Sequence, residues 1–103
     1  MKELPRSYAV QIRAGLIFCH VMLNQTSVDI ETLFSYDGMI KILEKSGFWF
    51  TKILAVYEYF INDNKDKALK LIEKAKIEAA RHFNIGERIM ELESINRLEL
   101  IMR

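Results

Sequence analysis

A chain of 103 residues holds one domain and not two. With 15 basic and 14 acidic residues the net charge is +1, so no global field draws it to nucleic acid or to an acidic lipid surface. A single cysteine, Cys19, excludes an internal disulfide framework and fits a reducing compartment such as the cytoplasm.

Pro5 suits a position just outside a helix start, and Ser7 suits the cap of a first helix over 8–24. Tyr8, Val10, Ile12, Leu16, Ile17, Phe18, Val21, Met22 and Leu23 lie all round this helix, so it is expected to be covered on most sides. The run 14–23 is too short to span a bilayer, is interrupted by His20 and lacks a small-x-small cleavage site, which argues against a membrane span or a removed signal. Arg13, His20 and Asn24 fall within about 40° of one another at 100° per residue, a narrow polar stripe suited to a partner's backbone or carboxylate.

Two short helices follow, over 28–35 with Ile30, Leu33 and Phe34 inward, and over 38–45 with Asp37 as its cap. Gly47 is a natural stop, because glycine enters the left-handed region at least cost. The pattern then predicts a hairpin over 48–83 as the core of the domain. In its first helix Trp49, Ile53, Val56 and Phe60 continue into Phe50, Leu54, Tyr57 and Ile61 as the buried side. The opposite stripe of Thr51, Lys52, Ala55, Glu58, Tyr59 and Asn62 is left for water or a partner. A polar turn, Asn62-Asp63-Asn64-Lys65, leads to the second helix, which Asp66 caps or opens. There Ala68, Leu71, Ile72, Ala75, Ala79 and Phe83 recur at three- and four-residue steps, and the alanines permit close approach. Asn84-Ile85-Gly86 reads as a break before a last helix over 87–102. Its apolar residues drift round the wheel towards Leu98 and Met102, leaving those two for a second subunit.

Tyr59, Ala68, Ile72 and Ala75 stand nine, four and three residues apart, with Ala55 four before Tyr59. This spacing resembles a tetratricopeptide repeat, in which an aromatic fills the angle between two helices and small residues draw them together. Lys52, Val56 and Ala80 stand where that family usually has Trp, Gly and Pro, and no second copy lies 34 residues away. The stretch YEYFINDNKDKALKLIEKAKIEAARHFNIGERIMELE is also similar to the helical C-terminal part of bacterial peptide-sensing regulators of the Rgg and PlcR type. That resemblance implies dimers and a concave face for a short peptide. The helix-turn-helix those regulators carry ahead of it is not recognisable in this chain.

Chemistry-bearing constellations are missing. Cys19 and His20 are neighbours on one helix and cannot face each other. The two histidines lack the carboxylate spacing of a metal site, and no glycine-rich phosphate loop occurs. The expectation is an all-α fold of five to six helices in antiparallel, tetratricopeptide-like hairpins, forming one domain over 1–103. Its expected role is a non-enzymatic, cofactor-free regulatory module that binds a protein or short peptide and forms a homodimer. Arg13, His20, Asn24, Lys52, Glu58, Tyr59, Asn62, Leu98 and Met102 are the candidate contacts. The alternative is nucleic-acid binding through the lysine-rich segment 65–83.

Overall fold

Six helices carry the described residues of this computed structural model, 6–23, 27–46, 50–81 and 84–103. They are α1 (Arg6–Met22), α2 (Ser27–Phe34), α3 (Met39–Ser46), α4 (Phe50–Phe60), α5 (Lys65–Ala80) and α6 (Ile85–Met102), with no strand among the described residues. The chain is all-α, as its periodicity predicts. The expectations placed on Pro5, Asn24, Gly47, Trp49 and Phe83, and on the side chain of Ser7, lie outside the described residues.

The turns follow local chemistry. Gly38 adopts φ 77°, the left-handed region open to glycine, so α3 starts one residue after it. Asp63 takes φ 51° in the turn after α4, a region that Asp tolerates better than most residues. Asn64, not Asp66, caps α5: its side chain accepts from the Lys67 backbone N–H at 3.1 Å, and Asp66 sits in the first turn, where its charge complements the helix dipole. Asn84 does the same for α6 through Glu87 N–H at 3.1 Å. The segment expected to break the chain therefore opens the last helix instead, with Gly86 inside its first turn.

α4 touches every other helix and occupies the centre. Its closest neighbour is α5, against which Ala68, Ala75 and Ala79 present small buried side chains. Thr51 at the start of α4 bonds Glu78 late in α5, and Glu58 late in α4 meets Lys67 early in α5. α6 packs on α5, while α1, α2 and α3 close the other side. The core gathers Val10, Ile17, Ile30, Met39, Leu43, Ile53, Val56, Ile72, Ile95 and Leu98. The Cα radius of gyration, 13.3 Å, is that of a compact chain of this length.

Two expectations about faces are overturned. Most of the α4 stripe left for water or a partner turns inward: Thr51, Lys52, Ala55 and Glu58 are buried because neighbouring helices cover that side of a central helix, while Tyr59 is half-buried and Asn62 stays exposed. α1, expected to be covered nearly all round, buries Val10, Ala14, Ile17 and Val21 but exposes Tyr8, Ile12, Leu16 and Leu23.

Candidate functional site

Most of the residues singled out from the sequence hold the domain together. The Arg13 guanidinium donates to the Leu33 carbonyl at 3.1 Å and lies 4.9 Å from the centre of the Tyr36 ring. It thus satisfies the end of α2, where helix carbonyls lack partners and favour positive charge. His20 is half-buried on the same helix.

Lys52 runs through the interior. Its Nζ donates to Glu91 Oε1 at 2.6 Å and to Ser94 Oγ at 3.1 Å, and sits 4.8 Å from the centre of the Phe18 ring. One ammonium therefore ties α4 to α6 and α1. Glu91 Oε2 is buried with no hydrogen-bond partner, so the carboxylate depends on Lys52 for its compensation. Glu58 accepts from Asn62 Nδ2 at 3.0 Å and pairs with Lys67 at 3.3 Å, which closes the turn between α4 and α5. Tyr59 is half-buried and meets Phe60 edge-on, with ring centres 4.9 Å apart.

Leu98 and Met102, expected to face a second subunit, are both 0% exposed. They stand four residues apart and, with Ile95, form the side of α6 that enters the core. A partner cannot reach them.

The accessible surface lies elsewhere. Between α1 and α6 a cavity of about 190 Å³ is lined by Phe18, Met22, Met90, Glu93, Ser94 and Arg97. Phe18, Met22 and Met90 make its lining partly apolar. Its lip is an exposed ion pair within α6, Arg97 Nη2 to Glu93 Oε1 at 2.9 Å. Ser94 forms part of the wall and reaches inward to Lys52, so the buried ion pair braces the groove from behind. A second cavity of about 170 Å³ lies between α3, α4 and α5 beside Tyr57, Glu58 and Lys67.

Sequence reasoning missed Met90, Glu93 and Arg97. Their three- and four-residue spacing marks one helical face, but a face mixing apolar with charged residues does not register as a hydrophobic stripe. On the far side of α6, Lys76 of α5 donates to both Glu99 oxygens at 3.0 Å, and Arg103 joins at 3.1 Å. The bond from Lys76, then that from Arg103, holds the Glu99 carboxyl below the usual glutamate range, while the bond to Glu99 raises Lys76 above the usual lysine range. This cluster fastens α6 to α5.

Among the described residues no three His, Cys, Asp or Glu side chains converge as metal ligands, and no helix is long and apolar enough to cross a membrane. Cys19 is an exposed free thiol. Comparison with protein-family models, curated proteins and solved structures gave no match to the chain.

Proposed function

We propose that the chain is a non-enzymatic docking module, a regulatory protein whose groove between α1 and α6 receives an apolar side chain from a protein or short peptide. The observation that carries this reading is the groove itself, lined by apolar Phe18, Met22 and Met90 beside charged Glu93 and Arg97. At about 190 Å³ it is smaller than the roughly 300–1,000 Å³ typical of small-molecule pockets, and suits one anchoring side chain. Ile85, Ile89 and Leu100 on α6, and Tyr8, Ile12, Leu16 and Leu23 on α1, are further exposed apolar side chains on the two helices that form the groove. The likeness of residues 57–93 to the helical part of peptide-sensing regulators points the same way. In this reading the module works in the cytoplasm, where Cys19 stays reduced.

Nucleic-acid binding through segment 65–83 has less behind it. Lys67 faces Glu58, and Lys76 faces Glu73 and Glu99, so these two lysines lie against carboxylates.

A displayed-peptide selection against the immobilised chain tests the docking reading. Selected peptides should carry an apolar anchor, and Met90→Asp should weaken them at least about tenfold while leaving the helical circular dichroism unchanged. Met90 is 72% exposed, so the variant is expected to fold. A selection that yields no binder, or only binders indifferent to Met90→Asp, defeats the proposal.

A further inference from the structure

The geometry points to a second copy of this chain as the occupant of the groove, laid across it with the two α6 helices running in opposite directions. Met90, Glu93, Arg97 and Leu100 follow one another at steps of three, four and three residues. At 100° per residue they fall within about 80° of the helix circumference, one continuous face. All four are exposed: Met90 72%, Leu100 75%, and the Glu93 and Arg97 side chains 60% and 65%.

The order along this face is apolar, acidic, basic, apolar. Reversed, it reads apolar, basic, acidic, apolar, the charge complement of the original. A two-fold axis crossing α6 at the level of Ile95 sets Glu93 of one copy against Arg97 of the other, and Met90 against Leu100, in both directions at once. A self-complementary patch of this kind is what an isologous interface requires. Two α6 helices aligned in the same direction and register would set Glu93 against Glu93 and Arg97 against Arg97, so the charges choose the antiparallel arrangement.

The groove adds apolar surface of α1 to the α6 face. Met90 lines it together with Phe18 and Met22, and the Leu100 of the second copy arrives at the level of Met90. That leucine packs on Phe18, Met22 and Met90, while the Glu93 and Arg97 pairs flank it. Each guanidinium carries five N–H donors, enough to keep its own Glu93 and also engage the partner's. Four α6 side chains and the groove carry the contact, against the roughly 20–30 residues a side of a standard interface, so a weak dimer is expected, with a Kd on the order of 100 μM.

Occupancy by a second copy presupposes the docking role proposed above, and charge exchange separates the two ideas. Sedimentation equilibrium up to millimolar chain should show wild-type protein passing from monomer to dimer. Glu93→Arg and Arg97→Glu, each alone, place like charges across the axis and should weaken association at least about tenfold. Mixing the two single variants in equal amounts should restore a one-to-one dimer at least as tight as wild type, and the double variant E93R/R97E should dimerise by itself. Recovery in the mixture also shows that both chains are folded. A wild-type chain that stays monomeric throughout, single variants that associate like wild type, or a mixture no tighter than its components each overturn the inference. If the chain is monomeric yet selected peptides lose binding on Met90→Asp, the docking role stands and the second copy falls. If neither association nor peptide binding occurs, both fall.

Discussion

The fourth helix and the first make opposite use of their residues. α4 places Thr51, Lys52 and Glu58 in the interior, whereas α1 leaves Tyr8, Ile12, Leu16 and Leu23 at the surface. The difference follows from position in the bundle. α4 touches all five other helices, so every residue type on it is covered, including the charged ones. Burial of charge is tolerable only with partners, and each of these residues has one: Glu78 for Thr51, Glu91 for Lys52, and Asn62 with Lys67 for Glu58. α1 packs from one side, and Tyr8, Ile12, Leu16 and Leu23 on its other side stay exposed among the described residues.

The sharpest way to break this comparison is to remove the charge that α4 buries. Lys52→Met leaves the Glu91 carboxylate, 14% exposed and with its Oε2 buried, without its cationic partner, and should lower unfolding free energy by about 3 kcal/mol. The double variant K52M/E91L removes both charges and should recover most of the loss. A denaturation cycle on the two singles and the double measures this. Additive losses would mean that Lys52 and Glu91 are not coupled and that Lys52 acts through its other contacts, Ser94 and Phe18 among them.

A second pair of variants compares like with like on α1. Ile17 is 0% exposed and Ile12 is 48% exposed, on the same helix and with the same side chain. Ile17→Ala should destabilise by about 2–5 kcal/mol through lost burial and the cavity left behind. Ile12→Ala should lower the stability of the monomer by less than about 1 kcal/mol. Equal losses would show that the outer face of α1 is covered in solution, and would require a partner along that stripe.

These contrasts also mark what the amino-acid pattern could reveal. Six amphipathic segments separated by Asn, Asp, Ser and Gly turns suffice to place six helices, because the signals are local. The alanines of α5 announce close packing, and Ala68, Ala75 and Ala79 are buried as their spacing implies. The caps moved because two turn signals competed: Gly86 reads as a stop, but Asn84 just before it can cap, and the cap prevailed. Which face of a helix is inside was much less legible. Lys52 and Glu91 are 39 residues apart, and no periodicity on α4 reveals that a carboxylate on α6 will meet it. Leu98 and Leu100 look alike in sequence, yet one is in the core and the other 75% exposed. Only the arrangement of the helices separates them.

The α5–α6 clamp offers the smallest effect and the most specific signature. Glu99 is held in its charged form by Lys76 and then Arg103, so its folded carboxyl titrates below the value it has in the unfolded chain, about 4.3. Its contribution is therefore fully present above that unfolded value and is lost as pH falls through the depressed folded one. Lys76 behaves in the opposite sense. Raised by its bond to Glu99, it contributes fully below the unfolded lysine value, about 10.4, and loses that contribution as pH rises through its folded value. The Lys76 and Glu99 side chains are 27% and 15% exposed, so solvent screens the pair and Glu99→Gln should lower stability by less than about 1 kcal/mol at neutral pH. The difference between wild type and E99Q should stay flat between those two values, shrink below about pH 4 and shrink again in strong alkali. A difference that persists unchanged at pH 2 would assign the loss to packing of the Glu99 stem against α5, with no role for its charge.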